Sequence, residues 1–172
     1  SDTLRALQAR LAEQLDVMSQ EAGREAQWLA VKAANRNYLI PLAQAGEIFP
    51  WQTPLRLPYT QPWFLGVANL RGSLVGVIDM ALFLGHPAPK SEHRLQQANI
   101  VTVHTSLEMN AGIVVDQLLG LRGLKSEWRE IPPSDIHPHL GKVGYVDGDG
   151  VQWHELQLRS MVASQDFLNV RL

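Results

Sequence analysis

The groups in this 172-residue chain that could do chemistry are six histidines, 17 carboxylates and one arginine set alone in an apolar stretch. Metal binding would begin at His137-Pro138-His139, but a proline separates the two rings and only Asp135 offers a carboxylate at ligand spacing. A zinc site wants several convergent donors, so this segment reads as a surface loop. His104 alternates with strand positions and reads as a core or edge histidine. His154 stands between Trp153 and Glu155. A small β-barrel hydrolase using His154 and Glu155 is the enzymatic alternative, and a turnover screen would separate it from a binding protein. No G-x-S-x-G serine, P-loop or dinucleotide fingerprint is present. Asp147-Gly148-Asp149-Gly150 has the start of a calcium loop, yet the twelfth position counted from Asp147 is Leu158 rather than glutamate. A hairpin turn explains it better. These residues assemble no catalytic set, no metal site and no cofactor site, so a non-enzyme is expected.

The isolated arginine is Arg71, in the stretch Phe64 to Asp79, where two apolar runs flank a Leu70-Arg71-Gly72 corner. Two readings stand on spacing alone. The guanidinium is either presented for recognition, or it is structural, bonding turn carbonyls or pairing with Asp79 across the hairpin. Trp51, Tyr59 and Trp63 lie in a proline-rich connection around residues 50 to 63 with only Arg56 as a basic neighbour. Stacking on nucleic acid would need more positive charge than that. The rings either cap the end of a barrel or join Ile48 and Phe49 in an apolar protein-binding surface.

The elements that must position these groups follow from periodicity. Leu4, Leu7, Leu11, Leu15, Met18 and Ala22 recur at spacings of three and four, one stripe of an amphipathic helix over residues 4 to 22, with Gly23 ending it. From Trp28 the pattern alternates, predicting a hairpin with its turn at Asn35-Arg36-Asn37 and a short third strand from Glu47 to Trp51. Strands are predicted over 64–70 and 73–79, then a helical turn over 80–84 closed by Gly85, and a polar linker from His86 to Gln97. Beyond it, strands are expected at 99–104 and 111–121, a loop over 125–141, a last hairpin turning on the Asp-Gly-Asp-Gly segment, and a helical tail. Many short strands with few helices predict an all-β protein with terminal helices, its sheets closing into barrels.

Size and composition bound the function. With 45% hydrophobic residues the chain can bury its own core. The net charge of −2 resides in residues 1 to 26, where five acids face three arginines, so nothing is basic enough to hold a phosphate backbone. The absence of cysteine tilts toward a reducing compartment. No segment resembles a signal peptide or a membrane span. A cytoplasmic protein without direct membrane insertion is expected.

The run Gly66, Val67, Asn69-Leu70-Arg71-Gly72, Val75, Val77-Ile78 and Asp79 resembles the signature of the CheW-like adaptors of bacterial chemosensory arrays. Gly46-Glu47-Ile48, Pro58 with Pro62, and Gly112-Ile113-Val114-Val115-Asp116 extend the match over roughly residues 27 to 168. Gly76 stands where the family usually has proline, and Met80 where leucine is common. The resemblance implies two five-stranded, SH3-like β-barrel subdomains in a CheW-like domain over 27–168, preceded by the helix of 1–26 and followed by a tail at 169–172. It implies a non-catalytic scaffold coupling a methyl-accepting chemoreceptor's signalling tip to the regulatory domain of a CheA-like histidine kinase. Carried over residue by residue, Glu47, Ile48 and Gly66 would face the kinase, and Asn69, Arg71, Val114 and Val115 the receptor, the last two in a groove between subdomains. The leading helix and the Phe167-Leu168-Asn169-Val170 end are similar to the PilI-type adaptors of twitching motility. The same fold as the regulatory domain of a kinase, and a generic ligand-binding barrel, are the remaining alternatives.

Overall fold

The computed structural model describes residues 3–12, 26–87, 92–133 and 137–172. Residues 3–12 form helix α1, with Leu4, Leu7 and Leu11 each about half exposed. The rest of the expected helix, including Leu15, Met18 and Ala22, lies outside the described residues.

The body is two sheets. The first is built from both ends of the domain, in the order β8-β1-β2-β11-β10-β9. Its strands are β1 (Ala26–Ala33), β2 (Arg36–Pro41), β8 (Gln117–Gly123), β9 (Arg129–Ile131), β10 (Leu140–Val146) and β11 (Gln152–Leu156). The second, in the order β3-β6-β7-β5-β4, comes from the chain between: β3 (Ala45–Pro50), β4 (Phe64–Leu70), β5 (Ser73–Asp79), β6 (Asn99–Val103) and β7 (Ala111–Val115). Short helices α2 (Met80–Phe83), α3 (Leu158–Ala163) and α4 (Gln165–Leu168) complete it. The expectation of a mostly β protein with terminal helices holds. The first sheet has six strands rather than five, because residues 129–131, read from their polarity as loop, pair with β10 as β9.

Neither sheet closes by a continuous ladder. In the second, the chain leaving β3 reaches over to β4 instead, where Leu55 and Val67 exchange backbone hydrogen bonds at 2.8 and 2.9 Å. That crossing presses the Leu55 carbonyl onto Gly66, whose φ is +128°, and a Cβ there would stand 2.2 Å from the oxygen. Only glycine fits.

Inward-facing residues of both sheets share one core, including Val31, Tyr38 and Ile40 from the first and Ile78, Val101, Ile113 and Val115 from the second. The stretch 111–121, expected as one strand, is two. Apolar residues resume after Asp116-Gln117, but the chain there passes from β7 of the second sheet to β8 of the first. Hydrophobicity marks burial and is blind to which sheet does the burying. The first hairpin turns at Ala34-Asn35, both at left-handed φ of 51° and 59°, one residue earlier than its polarity suggests. Gly76, in the family's usual proline position, donates its N–H to the Asn110 carbonyl at 3.0 Å, a bond proline could not make.

Candidate protein-docking site

Strands β4 and β5 pair from Phe64↔Ile78 to Leu70↔Ser73, which leaves Arg71 and Gly72 as a two-residue connection. Both have positive φ, 50° and 81°. That geometry matches the right-handed twist of the strands, and it places a non-glycine residue in a region it rarely adopts. Asn69 compensates, its Oδ1 accepting the Gly72 N–H at 2.9 Å. The motif residues Asn69 and Gly72 are thus explained locally: they hold a corner that projects Arg71.

The Arg71 side chain, 76% exposed, reaches across the sheet end to β3, where Nη1 lies 3.3 Å from Glu47 Oε2. It also sits over the Phe49 ring at 5.9 Å. Thr102 of β6 fixes the β3 side of the pair: its Oγ1 accepts the Glu47 N–H at 2.8 Å and donates to the Glu47 carbonyl at 3.2 Å. Beside them an open cleft of about 480 Å³ runs between the corner and the loop carrying His104 and Met109. Ile48 is 44% exposed on the same strand. A charged, partly apolar rim around a shallow cleft is suited to a protein surface rather than to an enclosed small molecule.

The structure brings Glu47, Ile48, Asn69 and Arg71 to one end of the second sheet. It does not bring Val114 and Val115 there. These are buried in β7, and their methyls build the core instead of lining a groove. Gly66 is likewise covered by the Leu55 segment, so it shapes the edge without offering a surface. The structural alternative for Arg71, pairing with Asp79, is not what forms. Asp79 is buried and bonds Arg94 at 2.8 Å while capping α2 through Leu82 N–H at 3.2 Å. Sequence reading passed over Arg94 as part of a polar linker. The signal available was that two apolar strand runs each end in an aspartate, Asp79 and Asp116, and both need a buried counter-charge.

The other candidate groups are engaged in the fold. His139 is buried, stacked on Phe83 with ring centroids 5.5 Å apart, its Nδ1 3.3 Å from Ser160 Oγ. Burial, then the charge of His137, pushes its pKa below the ordinary histidine value. Among the described residues no cluster of three metal-ligating side chains occurs. His154 is buried on one face of β11, while the neighbouring Glu155 accepts from Trp28 Nε1 at 2.8 Å and from the Gln157 amide. Adjacent strand residues face opposite sides, so the two do not form a dyad. Asp147 acts as a turn residue, accepting from the Asp149 and Val151 N–H groups at 2.9 Å and from Trp153 Nε1 at 3.0 Å. Slight burial opposes its charge, but these donors outweigh it and hold the carboxyl below its usual range.

With this geometry in view, a family model described as the CheW-like domain matches residues 27–156. The chain belongs to the CheW-like family. Membership places it among the scaffold and adaptor domains of chemosensory pathways. It is similar to the protein PilI of Pseudomonas aeruginosa, 27% identical over 155 residues, covering 88% of this chain and 83% of that one. The protein FrzA of Myxococcus xanthus is 29% identical over 133 residues, 77% of this chain and 69% of its own. The chemotaxis protein CheW of Bacillus subtilis is 30% identical over 82 residues, 48% of this chain and 50% of its own. The crystal structure of the scaffolding protein TtCheW from Thermoanaerobacter tengcongensis superposes with a TM-score of 0.66 at 17% identity, covering 83% of this chain and 95% of that one. For this CheW-like chain that likeness shows the fold. No helix among the described residues is long and apolar enough to cross a membrane.

Proposed function

We propose that the chain is a non-catalytic cytoplasmic adaptor that links a methyl-accepting chemoreceptor's signalling tip to the regulatory domain of a CheA-like histidine kinase, in a pathway of the pilus-linked, PilI type. The observation that carries this reading is the Arg71 corner. A guanidinium held at left-handed φ on a short turn, 76% exposed and paired with the Glu47 carboxylate of β3, is open to a partner. Glu47 and Ile48 on β3 supply the kinase-facing side, with Gly66 letting the Leu55 segment lie flat behind them. Asn69 and Arg71 supply the receptor-facing side, and Val114 and Val115 act from the core by fixing β7.

In this arrangement the two surfaces share an edge, because Glu47 and Arg71 contact each other. A partner that engages one of them changes the charge environment of the other, a direct route for one binding event to be felt at the next. The test is an NMR titration of labelled protein with a purified kinase regulatory domain and, separately, a receptor-tip fragment. Shifts at Glu47 and Ile48 with the first and at Asn69 and Arg71 with the second are expected; binding of neither fragment would overturn the reading.

A further inference from the structure

Arg94 stands in the 3-10 turn Glu92–Gln97, and its guanidinium joins two carboxylates: Nη2 to Asp79 Oδ2 at 2.8 Å and Nη1 to Asp116 Oδ1 at 2.9 Å. Each carboxylate is committed at its other oxygen as well. Asp79 Oδ1 accepts from Leu82 N–H at 3.2 Å, and Asp116 Oδ2 accepts from Ala34 N–H at 3.0 Å. The network therefore ties the end of β5 and the start of α2 in the second sheet to the β7–β8 crossover and the β1–β2 turn of the first. It is sheltered, with the Arg94 side chain 15% and that of Asp79 2% exposed.

The hydrophobic effect that buries the core shared by the sheets is proportional to area and non-directional. Charge-assisted hydrogen bonds to a planar guanidinium are directional. Buried ion networks are weak sources of net stability, and in some proteins they serve to set a unique geometry. Strand β5 extends from Ser73, beside the Arg71 corner, to Asp79, a rod of about 20 Å at ~3.3 Å per residue. Asp79 is thus the far end of the element that carries the docking corner.

We propose that Arg94 is a positioning residue that fixes the orientation of the first sheet relative to the second, so that the Arg71 corner and the first sheet move as one body. The inference deepens the adaptor reading and rests on it for its purpose. Its test needs no partner, so the two can fail separately.

The chain has no cysteine, so spin labels can be placed cleanly. Labels at Leu74→Cys on β5 and Lys142→Cys on β10, both exposed, report the distance between sheets by pulsed electron spin resonance. The parent is expected to give a narrow distribution. Arg94→Met, folded by circular dichroism, is expected to give a broadened or displaced one. Removing one partner from a buried network leaves uncompensated charge. Should Arg94→Met unfold, the triple variant Arg94→Met, Asp79→Asn, Asp116→Asn carries the test, with the same broadening or displacement expected. The parent's distribution in a folded variant of either kind overturns the proposal, since the apolar core alone would then set the orientation.

Discussion

Arg71 Nη1 stands 3.3 Å from Glu47 Oε2, joining the β4–β5 corner to β3 at the open end of the second sheet. The side chains are 76% and 55% exposed, and an exposed pair of this kind contributes only about 0–1 kcal/mol to stability. The pair is therefore poorly explained as a device for holding the sheet together.

Arg71→Glu sets like charges side by side, and the melting midpoint should move little, by the equivalent of less than about 1 kcal/mol. Affinity for the receptor-tip fragment should fall by about tenfold or more, as for an arginine at the centre of a contact. The reciprocal swap, Arg71→Glu with Glu47→Arg, sharpens the result. It restores the internal pair, so binding that recovers in the swap would show the pair itself to be what matters. Affinity that stays low in isothermal titration means each residue meets its own partner.

Gly66→Ala should destabilise the protein by roughly 2–5 kcal/mol, because the added methyl overlaps the Leu55 carbonyl and φ of +128° disfavours any side chain. The measurement is a thermal or denaturant melt. A near-parental midpoint would mean that the Leu55 crossing lifts off β4 at little cost.

Val115→Ala should cost about 2–3 kcal/mol, from two buried carbons and the void they leave. At a temperature where the variant stays folded, its affinity for either fragment should match the parent's. A selective loss of receptor binding without loss of stability would return Val115 to the docking surface.

Acid should weaken the fold through its histidines. Burial lowers the pKa of His86, His137, His139 and His154. The unfolded chain, with histidines near 6.5, takes up protons first as pH falls. Stability is then fully present above about 6.5 and declines as pH drops below it toward the depressed folded values. His139, which faces Phe83, His137 and the opposing charge of Asp166, is the most enclosed of the four. Melts of the parent at pH 7.5 and 5.5 should differ by more than those of His139→Asn. An equal acid sensitivity in the two proteins would assign the effect to other groups.

Much of the second sheet was legible before any coordinates. The β4–β5 hairpin falls at 64–70 and 73–79, where two apolar runs flank the Leu-Arg-Gly corner. A two-residue turn leaves one register open once the flanking apolar faces are fixed. The same local logic gave the β10–β11 hairpin on Asp147 and the helical turn behind Asp79. These features are determined by neighbours in sequence, and the residues of a few positions suffice to specify them.

What the chain could not declare locally, the tertiary structure decided. Valines at 114 and 115 look alike whether they line a groove or fill a core, and only the folded sheets bury them, Val115 in the core shared with the first sheet and Val114 among Leu65, Val75, Val77 and Ile100 of the second. Asp116-Gln117 interrupts the apolar residues of 111–121, but two polar residues do not reveal that the chain changes sheets there, because the cause is a change of partner strands. β9 is polar and three residues long, so it exists by pairing with β10 alone. Glu47 meets Arg71 across 24 residues, and Arg94 meets Asp79 and Asp116 across 15 and 22. Sequence supplies the charges, but such contacts form where the folded sheets bring them together, because a charge carries no record of which distant partner it will meet.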